Sequence, residues 1–111
     1  MATAAPASAR PVAGVESDQA AWAQKADAVR EKVRVEGRAA MEAAQMGRYR
    51  FALERYATMW ELLSAERQAL ETAYGQDPFD ATAQELKGRL RANAEEASEV
   101  SRTMSLLRIA L

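Results

Sequence analysis

Cysteine and histidine are both absent from this chain. Without cysteine there are no disulfides and no thiolate metal ligands, a composition compatible with a reducing cytosol. Without histidine, the commonest general base and the commonest zinc ligand are missing. No stretch approaches the roughly 20 apolar residues that span a bilayer, so no membrane insertion is expected. Charge of one sign is not in excess either. The 15 lysines and arginines are interleaved with 16 aspartates and glutamates, for a formal net charge of −1. That balance directs no strong field at DNA or an anionic membrane. Nor is there a Gly-rich phosphate loop or a nucleophile with a base nearby, so catalytic residues, metals and cofactors are not expected, and neither is enzyme activity.

Residues 1–16 contain only Met, Ala, Pro, Ser, Thr, Gly, Val, Arg and Glu. Such a segment cannot bury enough apolar surface to offset the entropy of ordering it, and a disordered tail is expected there. It has no basic start and no continuous apolar core, so it does not read as a secretory signal. The remainder, 17–111, is expected to form one helical domain with a modest core.

What is present is helical periodicity. The last third spaces Phe79, Ala83, Leu86, Leu90, Asn93, Ala97, Val100, Met104, Leu107 and Leu111 by four and three, the seam of a helix lying along another helix. Before it, Tyr49, Leu53, Tyr56, Trp60, Leu63, Arg67, Leu70 and Tyr74 repeat the same spacing and hold four of the chain's seven aromatic residues. A thinner stripe of Trp22, Ala26, Val29, Val33, Ala40 and Ala44 precedes both, in a helix expected to start near Ser17 or Asp18. The pattern predicts an all-α fold: helices over about 18–45, 48–74 and 78–110, the last two an antiparallel hairpin within a three-helix bundle or coiled coil.

Two breaks are expected. Gly47 marks the first, because a mid-helix glycine costs about 1 kcal/mol relative to alanine; the alternative is a glycine tolerated within one continuous helix over about 18–74. The second is Tyr74-Gly75-Gln76-Asp77-Pro78, read as a left-handed Gly75 past a helix end, an Asp77 cap and Pro78 at the first helical position. This turn sets a register in which Leu63 faces Leu90, Trp60 faces Asn93 and Tyr56 faces Ala97. Trp60 and the Asn93 amide are then placed to satisfy each other. A lone seam asparagine most often fixes register or oligomer state. Arg67 is expected to send its head to water or to Glu85.

Other charged groups carry less. Arg34, Arg38, Arg48, Arg50 and Arg55 lie among Glu31, Glu36, Glu42 and Glu54, with no aromatic residue placed for base stacking, so nucleic acid is not an expected partner. Glu95, Glu96 and Glu99 lack the histidines of a di-metal bundle. The C-terminal end is more suggestive. With the second helix starting near Arg48, residues past about 105 overhang it, leaving Met104, Leu106, Leu107, Ile109 and Leu111 to cover the first helix, another copy or a partner.

Three groups of strings carry a resemblance. These are Glu36-Gly37-Arg38-Ala39-Ala40-Met41 followed by Met46-Gly47-Arg48-Tyr49; Trp60-Glu61-Leu62-Leu63-Ser64-Ala65-Glu66-Arg67; and the last helix from Leu90-Arg91-Ala92-Asn93 to Leu107-Arg108-Ile109-Ala110. Over about residues 30–111 the chain resembles the small helical export chaperones of flagellar and type III secretion systems, especially those that escort hook–filament junction proteins. The resemblance implies a cytoplasmic protein that covers an amphipathic helix of its client, with Val100, Met104, Leu107, Ile109 and Leu111 as the contacts. The Gln76-Asp77-Pro78 turn followed by a long amphipathic helix also resembles type III needle and rod subunits, in which that face would contact other copies. A coiled-coil scaffold or homodimer with no secretion role is the remaining expectation.

Overall fold

The computed structural model describes the backbone of residues 6–111 and the side chains of residues 18–111. The chain is all-α: α1 (Pro6–Gln45), α2 (Tyr49–Gln76) and α3 (Ala81–Ala110). α1 begins ahead of the expected start at Ser17 or Asp18. Residues 6–16 of the expected disordered tail fall within α1, while residues 1–5 and the side chains of residues 1–17 lie outside the described residues. α2 is the central element. α1 packs along one side of it and α3 along another, while α1 and α3 meet only through side chains. The bundle is elongated, 66 × 18 × 14 Å.

The break at Gly47 is present, and its geometry explains why it falls there. Gly47 has φ +77°, the left-handed conformation that only glycine adopts without strain. Its N–H donates to the Ala44 carbonyl at 3.1 Å, and the Arg48 N–H donates to the Ala43 carbonyl at 2.9 Å. These paired bonds are a Schellman closure, which satisfies the last carbonyls of α1 and turns the chain back into α2.

The second turn differs from its expected form. α2 runs through Gly75 to Gln76 with right-handed geometry, and the cap of α3 is Asp80, whose carboxylate accepts from the Thr82 N–H at 3.3 Å. The reason lies in α1. The buried Gln19 amide donates to the Ala73 carbonyl (3.1 Å) and the Asp77 carbonyl (3.3 Å), so the open end of α2 is satisfied from another helix and needs no left-handed glycine. With two aspartates able to cap, the later one is used. Pro78 and Phe79 fall in the turn, and Phe79, expected to open the seam, is 96% exposed.

This displacement moves the α2–α3 register by about one helical turn. Asn93 faces Leu63 and Glu66 rather than Trp60, Leu70 packs with Leu86, and Ala52 with Leu107. Trp60 is instead 46% exposed on the outer side of the α2–α3 seam. The α3 seam itself stands from Ala83 to Leu107, since Ala83, Leu86, Asn93, Val100 and Leu107 are buried and Leu90, Ala97 and Met104 half-buried. On α2 the buried set is Ala52, Met59, Leu63, Glu66, Ala69, Leu70 and Ala73, a face turned away from the larger rings. Alanines decide this. Ala26, Ala40 and Ala43 on α1 and Ala52, Ala69 and Ala73 on α2 are all buried, and side chains this small let two helix backbones approach closely.

The register also removes the expected overhang. Leu107 is buried among Ala43 and Ala52, so α3 ends level with the α1–α2 turn. No helix of the described residues is long and apolar enough to cross a membrane.

A candidate helix-docking groove closed by a polar clasp

The least expected group in the interior is Glu66, only 2% exposed at the centre of α2. A buried carboxylate is tolerated only when paired and hydrogen-bonded. Arg30 of α1 supplies a two-pronged pair: its Nε donates to Oε2 at 2.9 Å and its Nη2 to Oε1 at 2.7 Å. Its Nη1 reaches across to Glu96 of α3 at 2.8 Å. The Asn93 amide donates to Glu66 Oε1 at 2.7 Å and to the Leu63 carbonyl at 2.9 Å. Both partners of that nitrogen are acceptors, so the orientation of the amide is chemically forced. The Glu66 hydrogen bond, followed by that of Glu96, holds the Arg30 guanidinium above its ordinary value, against the opposing effect of burial. One arginine, two glutamates and one asparagine thus tie all three helices at one level.

Beyond this clasp, toward the α1–α2 turn, an open groove follows the α1 side of the bundle. Val33, Gly37 and Met59 line it, with Met41 on its wall, Arg34, Arg38 and Glu42 along its rim, and Arg30 and Glu96 closing one end. Gly37 explains the groove's form. A Cβ there would stand 3.1 Å from Met59 Cε and 3.3 Å from its Sδ, so the missing side chain is what lets the Met59 thioether lie against α1. Met41 is 54% exposed. Methionines adapt to partners of differing shape, and here two of them flank one groove. Of the rim arginines, Arg34 is held by Glu31 on the adjacent turn, whose carboxylate is lowered by that hydrogen bond. Arg38 is exposed and forms no ion pair among the described residues.

The residues singled out from the sequence are distributed unevenly around these features. Val100 is buried in the cluster with Val33, Met59 and Leu63, and Met104 is half-buried against it. Leu107 is core. Only Ile109, 81% exposed, and Leu111, 58% exposed, present the surface expected of that set. Tyr56 packs both on the cluster of Val33, Met59, Leu63 and Val100 and on that of Ala43, Ala52 and Leu107, and Leu63 is fully buried. Asn93 is in the seam, with partners other than the expected indole. Arg67 is exposed and forms no ion pair with Glu85 among the described residues. Glu96, weighed as a metal ligand, is engaged by Arg30.

Sequence reasoning passed over Arg30, Glu66, Gly37 and Met59. The signal for Glu66 was available, since positions 52, 56, 59, 63, 66, 70 and 73 also repeat by four and three. The larger rings of the neighbouring stripe outweighed it. No protein-family model, curated protein or solved structure matches this chain.

Proposed function

We propose that the chain is a non-enzymatic binding protein whose groove beside α1 receives an amphipathic helix of a protein partner. The observation that carries this reading is the groove beside Gly37, where exposed Met41 stands over a floor of Met59 and Val33 between charged side chains, the arrangement that helix-in-groove recognition uses. The partner's apolar face would lie on the exposed Met41, with the core residues Val33 and Met59 as the floor beneath it, and an acidic side chain on it would meet Arg38. In its finer form the reading is a cytoplasmic export chaperone that covers such a helix before delivery. Support for that form comes from the resemblance of the 36–49, 60–67 and 90–110 strings. The contact surface is placed here in the groove rather than on Val100 and Leu107, which the core consumes.

A photo-crosslinking residue at position 41, in cells that produce the protein, tests this. A discrete protein adduct is expected from position 41, none from the exposed position 87 on α3, and loss of the adduct when Gly37→Leu fills the groove without loss of helicity. Equal crosslinking from both positions, or an adduct that survives Gly37→Leu, would overturn it.

A further inference from the structure

Folding sorts the charges that the sequence interleaves. Residues 38–58 and 100–111 hold six arginines and two glutamates, whereas 59–99 holds nine carboxylates against four basic side chains. The hairpin register sets Ala52 beside Leu107 and Leu63 beside Asn93. The two arginine-rich segments therefore meet at the end that carries the α1–α2 turn. The acidic segment folds on itself toward the other end, closed by the Asp77–Asp80 turn. Residues 18–37 of α1 hold four charges of each sign and leave this separation standing.

Each end also displays an apolar feature that its local structure does not require. At the acidic end Phe79 is 96% exposed, flanked in sequence by Asp77 and Asp80. The turn is closed without its ring, by the Asp80 N–H donating to the Asp77 carbonyl and by the Asp80 cap. At the basic end a concavity is lined by Arg48, Tyr49, Arg50, Phe51 and Leu111, with Glu54 the single acidic side chain among them. The guanidinium groups of Arg48 and Arg55 already lie 5.3 and 4.8 Å from the centroid of the Phe51 ring. Arg55 is paired with Glu36 at 3.3 Å, so Arg48 and Arg50 are the guanidinium groups that a phenylalanine ring flanked by carboxylates would stack on and pair with.

We propose that the chain associates end to end with a second copy of itself, the Asp77–Asp80 turn of one molecule seating Phe79 in the Arg48–Leu111 concavity of the next. The two surfaces differ, so the contact is heterologous. Each added molecule leaves one free turn and one free concavity, and growth continues unless a ring closes. Carboxylates meet guanidinium groups across the joint, so salt opposes it. The contact uses the α2–α3 turn, past which α1 continues from Gln19 back to Pro6, and the opposite end of the bundle, and not the groove beside α1.

Light scattering of the full chain, from micromolar to millimolar concentration in low salt, is expected to show a mass that rises without a plateau at the dimer. Association is expected to be about tenfold weaker in high salt. Phe79→Ala, and separately Arg48→Glu with Arg50→Glu, should each give a monomer that retains its helical circular dichroism. Mixed together, these two variants keep one intact joint and should form a 1:1 pair that grows no further. A wild-type chain that stays monomeric throughout would overturn the proposal. So would variants that assemble like wild type, or a mixture that stays monomeric.

Discussion

At residue 66 a carboxylate that water barely reaches takes two hydrogen bonds from Arg30 and one from Asn93. The arrangement stabilises little relative to a well-packed apolar trio, because desolvation offsets most of the Coulombic gain. Its effect lies in what happens when one member leaves. Arg30→Ala would leave the charge with the Asn93 amide alone. Breaking a fully buried pair costs about 3–5 kcal/mol. The Arg30 side chain is 38% exposed, so solvent screening reduces the expected loss to about 2–3 kcal/mol in urea unfolding. The pH dependence has a definite sign. Arg30 is held above its ordinary value in the folded state. Its contribution is therefore complete below the unfolded value and lost only as pH rises through the folded one, both far beyond neutrality. The contribution of the Arg30 guanidinium to wild-type stability, read by urea unfolding, should accordingly be the same at pH 6 and pH 9.

Among the elements, α3 shows how one turn of register redistributes roles along a seam whose spacing is unchanged. Drawn back from its expected overhang past the α1–α2 turn, its end places Leu107 against Ala43 and Ala52 and turns Ile109 to solvent. Two leucine-sized residues only two positions apart then have unequal weight. Leu107→Ala should cost about 2–3 kcal/mol, through lost burial and the cavity left between α1 and α2. Ile109→Ala should stay within about 0.5 kcal/mol, as a surface change with no cap or pair involved. Thermal unfolding of the two variants side by side checks both. Equal losses would mean that the end of α3 is not packed as described. The two turns carry a related lesson. Gly47 ends α1 through its own backbone conformation and was legible as a break. Gly75 carries the same residue type but sits inside α2, because Gln19 satisfies the Ala73 and Asp77 carbonyls on either side of it.

For the whole molecule, the clasp is the place where all three helices are joined by polar groups, and Asn93 is the member that holds α3 to α2. Asn93→Ala removes two donors at once, leaving Glu66 Oε1 and the Leu63 carbonyl short of a partner. Hydrogen exchange should then show α3 amides losing protection ahead of those in α1 and α2, which keep their alanine interface and their Arg30–Glu66 pair. Uniform loss across the three helices would mean that the bundle opens as one unit. Charge belongs to this scale too. Interleaved along the chain, it looked featureless. Folded into antiparallel helices, it becomes a basic end and an acidic end.

Periodicity and composition alone determined that the chain is all-α, that Gly47 is a candidate break and that one seam runs along the last helix. Each of these rests on spacing within a few residues, and local spacing is written directly in a sequence. The tertiary structure decided which aspartate caps α3, because the amide that closes α2 comes from Gln19, 54 positions before Ala73. It also decided the register that follows from that cap, the face α2 turns inward, and therefore that Glu66 is buried and Trp60 is not. α2 carries two stripes with the same four-and-three spacing. Choosing between them depends on how closely the alanines of a second helix let it approach, a quantity that exists only between elements and not within one.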